Sequence, residues 1–312
     1  NNEVNMSNDT TQGKFSSNQN HTVNQKISKP QDFIAVAGSA EGGWSNNFRS
    51  GFQQSEANRY MFINQAIRAL YTFDKPVFNS DGTPKKQRIL VVFQFKYTVK
   101  DIERINLYAE QAEARVIYVK NEKEFIDFLN KRKSNHREIK RLEIYSHGVV
   151  GSISFHYSSE LFKHERVSEG EFNKSSVDKV SPEIFAANAT VASYACRTGI
   201  GKEGEAFENS SSAKPEHSLA QYMANKWGIP IQAFERRSLY EKTYGSKTEY
   251  DAAKGYTGKD PILLERAKSI TQREINDKDG GPIMPKGAWH PPTSGKTPEG
   301  LKNGLQTYRP QK

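Results

Sequence analysis

The run RILVVFQF at residues 88–95 constrains the fold more than any other stretch of this 312-residue chain. Apolar and β-branched side chains succeed one another there with little alternation, which suits a strand covered on both faces. Strands of that kind belong to parallel sheets flanked by helices. The segments downstream keep the same rhythm. TVKDIERINLYAEQAEA (98–114) predicts a helix with Val99, Ile102, Ile105 and Ala109 on one face. RVIYVK (115–120) reads as a second strand. NEKEFIDFLNKRK (121–133) predicts a helix capped by Asn121, with Phe125, Phe128 and Leu129 turned inward. KRLEIYS (140–146) is a third strand, running into His147-Gly148.

Beyond it, GSISFHY (151–157) suits a short strand or hairpin, and Ser181 with Pro182 predicts a helix over 181–189. TVASYA (190–195) is a further strand, ending at Cys196. A polar loop (199–216), a helix (217–228) and the strand IPIQAF (229–234) come next. Upstream, DFIAVAGS (32–39) suits a short strand, and 55–73 a helix carrying Tyr60, Ile63, Ile67 and Leu70, with an exposed turn over 79–87. Strand-helix alternation of this sort predicts an α/β fold, a mostly parallel sheet with helices on both faces.

The expected division is a disordered polar segment over 1–30 and a helical extension over 31–85. A main domain occupies 86–240, with a C-terminal extension over 241–312 that is rich in Pro and Gly after 275. Prolines exclude a regular helix or central strand there, and Ile283 and Trp289 favour a strap over the domain. The apolar share of 35% fits a normal core diluted by polar flanks. No stretch has the roughly 20 apolar residues of a membrane helix, so a soluble protein is expected. The first residue is Asn, which suits a processed product or an excised piece of a larger polypeptide. The net charge of +9 would admit nucleic acid as a partner. The basic residues are scattered, however, and the densest run, 130–141, reads as a solvated helix end. An aromatic-and-glycine pattern for RNA is missing.

A single cysteine excludes an internal disulfide framework and a multi-cysteine zinc site. Such a cysteine is most often a small buried residue, but Cys196 stands just past a buried strand, as does His147, 49 positions earlier. Parallel sheets react at the carboxyl ends of their strands. If the two strands are neighbours, a thiol and an imidazole share one edge. The imidazole can raise the thiolate fraction and later protonate a leaving amine. The backbone N–H groups of Gly148 and Cys196 are the oxyanion donors to expect, Gly148 having no Cβ to block substrate.

YSHGVVG with SYACRTG resembles the paired signature of the caspase-like (clan CD) cysteine peptidases, a group including caspases, metacaspases, clostripain and gingipains. The resemblance covers about 86–240. It implies a caspase-like sheet, His147 as general base and acid, Cys196 as nucleophile, Gly148 as oxyanion donor, and no metal or cofactor. Caspases carry Gln-Ala-Cys-Arg-Gly; here Tyr194 replaces the Gln and Thr198 intervenes before Gly199, so aspartate specificity does not carry over. Tyr194, Arg236 and Arg237 are the candidate pocket residues. The loop 198–218 is long for a strand-to-helix link. It is expected to be mobile, a lid or a site of self-cleavage at Lys202 or Lys214.

The function expected is therefore a cysteine endopeptidase acting on proteins through a thioester. It suits a secreted toxin or effector module acting in a target-cell cytoplasm, for which a cognate inhibitor or immunity protein is the partner to expect. The alternative is a catalytically silent module using its basic surface for binding. A nuclease has only the charge in its favour. His156 reads as structural, His164-Glu165 lacks further metal ligands, and GSAEGG (38–43) lacks the Gly-Lys-Ser/Thr of a phosphate loop.

Overall fold

The computed structural model describes residues 28–40, 59–160, 163–166, 168–240, 245, 247–276 and 283–312. Residues 1–27 of the polar segment, 41–43 of the glycine-rich stretch and 55–58 of the expected first helix lie outside these. The chain runs through β1 (Gln31–Ala37), α1 (Met61–Thr72), β2 (Val77–Phe78), β3 (Pro84–Phe93), α2 (Val99–Gln111) and β4 (Ala114–Val119). It continues through α3 (Glu122–Ser134), β5 (Glu138–Tyr145), β6 (His147–Val149), β7 (Ser152–Ser154), β8 (Tyr157–Glu160) and β9 (Lys163–Arg166). Then come β10 (Glu171–Phe172), α4 (Lys174–Asp178), β11 (Phe185–Ser193), α5 (Leu219–Trp227), β12 (Ile231–Phe234) and β13 (Ser238–Leu239). α6 (Lys247–Ala253), α7 (Pro261–Asn276), β14 (Thr293–Ser294) and β15 (Leu305–Tyr308) complete the order.

The central sheet has the order β15-β12-β11-β5-β1-β3-β2, with β4 also paired to β3. β12, β11, β5, β1, β3 and β4 are parallel; β15 and β2 are antiparallel at the margins. The protein is thus α/β with a mostly parallel mixed sheet. The unbroken apolar strands explain the two-sided cover. Phe33, Ala35 and Ala37 of β1 and Leu90 and Val92 of β3 pack with Ile63, Ile67 and Leu70 of α1 and Ile105 of α2. The alternate residues Ile34, Val36, Ile89, Val91 and Phe93 face the other way, toward Phe125 and Leu129 of α3 and Met223 of α5. Each of the Val, Leu, Ile, Phe and Met side chains among them contributes about 1.5–3 kcal/mol on full burial.

The strands are not enclosed by the expected boundaries at 86 and 240. The central β1 comes from the 31–85 stretch, and β15 comes from the C-terminal 72 residues to close the β12 edge. In the chain before β15, Ile283, Met284 and Ala288 are buried, and Asn64 of α1 takes the Met284 and Ala288 N–H groups.

Three local expectations are corrected. The 181–189 helix is only a single 3-10 turn, Pro182–Ile184, after which β11 begins at Phe185. Phe185 pairs with Ile139 of β5 and packs its ring 4.8 Å from that of Trp227, so tertiary burial outweighs the local start signal. Val99 is 77% exposed rather than inward. It is the first helical residue, inside a Thr98–Asp101 capping box, and Asp101 takes the inward position, accepting from the Tyr60 hydroxyl at 2.7 Å. The hairpin expected over 151–157 begins earlier, with His147 itself in β6 paired to β7.

At the amino end of β1 the fully buried Asp32 holds Arg132 (3.2 Å), Arg137 (2.7 Å) and the Gln87 amide (2.9 Å). Removing one member of a buried ion cluster leaves the rest uncompensated. Asp32→Ala is therefore expected to lower unfolding free energy by about 3–5 kcal/mol, measured by urea denaturation against wild type.

Candidate active site

β5 and β11 are adjacent and parallel, with Leu142 opposite Val191 and Ile144 opposite Ser193. Both run toward one sheet edge, where β5 hands over to Ser146-His147 and β11 to Tyr194-Ala195-Cys196. A Cβ built on Gly148 would lie 2.5 Å from the Cys196 carbonyl oxygen and 2.9 Å from its nitrogen. The His-Gly and Ala-Cys segments are therefore in direct main-chain contact. This gives the glycine a different purpose from the one expected: its missing Cβ makes room for the Cys196 peptide. β1 approaches the same edge, where the Gly38 N–H donates to the Tyr145 carbonyl at 2.8 Å.

The cysteine sits on a braced turn. The Ser193 and Thr198 hydroxyls are 2.9 Å apart; Thr198 donates to the Ala195 carbonyl and the Ala195 N–H donates to Ser193 Oγ. Arg197, directly after the thiol, has φ of 55°, a left-handed conformation that a non-glycine residue adopts only under constraint. Its N–H donates to the Arg236 carbonyl. The Ser238 N–H donates to Cys196 Sγ at 3.2 Å. Both Cys196 and His147 are partly exposed. The Phe62 ring from α1 meets the His147 ring edge-on at 4.9 Å and Tyr240 at 5.0 Å.

The other expected site residues divide. Tyr194 stacks on Tyr145 with ring centroids 4.8 Å apart, and its hydroxyl is pushed up to about 12 by burial and by the Glu143 charge. It lines a cleft of about 450 Å³ together with Phe234, Pro292 and Leu305. Arg236 holds the C-terminal segment, donating to the Leu301 and Gly295 carbonyls. Arg237 pairs with Glu205 at 2.6 Å and donates to Thr297 Oγ1. The Glu205 carboxylate, and beyond it the Cys196 sulfur, hold its guanidinium above the ordinary value against the cost of burial. Burial, reinforced by the Cys196 charge, raises the Tyr240 hydroxyl well above its usual value.

Lys202 and Lys214 are exposed on the 198–218 loop, which was expected to be mobile. Its backbone is tied down instead: Gly201 and Lys202 donate to the Ala213 carbonyl, and Phe207 to that of Glu299. Ile200, Ala213 and Leu301 form a small core beneath it. His156 is buried between Phe93 and Phe95, and burial lowers its affinity for a proton. His164 and Glu165 lie in β9, whose side chains fall outside the described residues. Among the described residues no three His, Cys, Asp or Glu side chains gather as metal ligands, and no helix is long and apolar enough to cross a membrane. Sequence reading missed Ser193, and it missed the bond from Ser238 to Cys196. Ser193 looks like an ordinary strand residue, and Ser238 reaches Cys196 only through the fold.

Gly148→Ala is expected to force the Cys196 peptide aside. It should cost about 1–3 kcal/mol of stability, read from urea unfolding, and change the rate at which iodoacetamide alkylates Cys196.

No protein-family model matches the chain, and no curated protein or solved structure matches it.

Proposed function

We propose that the protein is a cysteine endopeptidase of caspase-like type. The carrying observation is the main-chain contact between Gly148 and Cys196 at the carboxyl edge of two neighbouring parallel strands. In this reading the Cys196 sulfur attacks the scissile carbonyl carbon while its proton passes to the His147 imidazole. The tetrahedral species collapses as His147 returns that proton to the leaving amine, leaving a thioester. Water, deprotonated by His147, then attacks the thioester carbonyl, releasing the acid and restoring the thiol. The Ser238 N–H, donating to Cys196 Sγ, helps hold the sulfur in place. Gly148 and Cys196 N–H groups are the oxyanion donors in this scheme. The braced turn supplies rigidity, since small displacements of a nucleophile are costly in rate.

With a fluorogenic protein substrate, Cys196→Ala is expected to abolish turnover while leaving the circular dichroism spectrum and melting curve of wild type. His147→Ala should lower kcat/KM by about 10²–10⁴-fold and slow iodoacetamide alkylation of Cys196. The double variant should be no slower than the worse single one, because the two groups act as a unit. Wild-type turnover in Cys196→Ala would overturn the mechanism.

A further inference from the structure

The strand that closes the β12 edge carries a side chain that reaches the turn after the candidate thiol. In the β15 register Tyr308 stands opposite Ile231. It is buried in the apolar cluster that includes Val191, Met223 and Ile231. Its hydroxyl donates at 2.7 Å to the carbonyl of Gly199, three residues beyond Cys196. Gly199 is buried as well. A Cβ built on it would overlap the Tyr308 hydroxyl oxygen and lie 3.0 Å from the Phe234 carbonyl oxygen, so a side chain there and the phenol exclude one another.

Other bonds reach the same turn, and they run main chain to main chain. The Arg197 N–H donates to the Arg236 carbonyl and the Gly199 N–H to that of Phe234, while the Thr198 carbonyl accepts from the Ala220 N–H of α5. Tyr308 adds a side-chain donor to these. Burial, reinforced by the Glu235 charge, raises its hydroxyl well above the ordinary phenol value, so it stays protonated and able to donate. The chain beyond it is pinned to the helix that holds Thr198. Gln221 Nε2 donates to the Arg309 carbonyl at 2.7 Å, and the Gln311 N–H to Asn225 Oδ1 at 2.8 Å. The phenol is thus fixed from β12 and α5, independently of the His-Gly segment.

We propose that Tyr308 is a positioning residue for Cys196: by fixing the Gly199 carbonyl it completes the frame that sets the sulfur's place relative to His147. Its bearing on turnover rests on the peptidase reading, whereas its effect on the thiol does not. Without the hydroxyl, the Gly199 carbonyl is left buried and has lost its donor. A shift of the turn then reaches the sulfur, because the left-handed Arg197 between them persists only under constraint. Small displacements of a nucleophile are costly in rate.

Tyr308→Phe keeps the ring and removes the donor. The first readout is iodoacetamide alkylation of Cys196 at neutral pH in wild type, Tyr308→Phe, His147→Ala and the double variant. Tyr308→Phe is expected to slow alkylation at least about 3-fold, and loss of His147 should then slow it by a smaller factor than in wild type, because both act through one alignment. Gly199→Ala, which expels the hydroxyl from the other side, should reproduce both changes, and it takes the place of Tyr308→Phe if that variant does not fold. Asp32→Asn, at the amino ends of the strands, is the control for destabilisation alone. It should lower the melting temperature and leave the His147 factor as in wild type. The second readout is peptide turnover, where Tyr308→Phe should lower kcat at least about 10-fold with KM nearly unchanged. Wild-type alkylation with an undiminished His147 factor in Tyr308→Phe and Gly199→Ala would overturn the positioning role and leave the peptidase reading standing. An equal loss of that factor in Asp32→Asn would do the same. The expected alkylation changes in a protein whose wild type cleaves no peptide would retain the positioning role and remove the peptidase reading.

Discussion

The pairing of β1 with β3 on one side and β5 on the other is the constraint on which the rest of the structure depends. Seven residues of β1 pair in parallel with both neighbours, and Ile34 to Ala37 are fully buried. A strand so placed must be apolar on both faces, must be covered by helices on both sides, and must release its chain at the same edge as its neighbours. Its amino end carries a buried charged cluster, Asp32 with Arg132 and Arg137. Its carboxyl end delivers Gly38 to the Tyr145 carbonyl, two residues before His147.

At that edge the candidate chemistry depends on how closely two main chains approach. Gly148 is a glycine because the Cys196 peptide occupies the space a Cβ would need. The turn that presents Cys196 is held by the Ser193–Thr198 hydroxyl pair and by a left-handed Arg197. Thr198, which breaks the caspase-like pattern in sequence, thereby acquires a structural reason. The departure alters how the turn is braced rather than removing the thiol from the edge.

The C-terminal strap completes the surroundings. It is held to α1 by Asn64 and Gln65, to the region after β12 by Arg236 and Arg237, and to the 198–218 loop through Glu299. The two arginines expected to read substrate are largely occupied in holding chain segments together. The cleft that Tyr194 lines has Pro291, Pro292 and Thr293 of this segment among its walls.

The alternation of unbroken apolar runs with amphipathic stretches determined the α/β class, the two-sided cover and most element positions between residues 88 and 234. The same pattern placed His147 and Cys196 each just beyond a strand, because burial on both faces leaves its mark in every residue of such a strand. Sequence could not determine strand order. β1 and β15 join the sheet from outside the regular stretch, since pairing partners are chosen by long-range packing rather than by local periodicity. Nor could it show that Phe185 leaves a well-signalled helix start for a place beside Trp227. The Ser238 donor to Cys196 was decided by tertiary structure alone: the two residues are 42 positions apart, and a contact across such a distance leaves no pattern in the local chain.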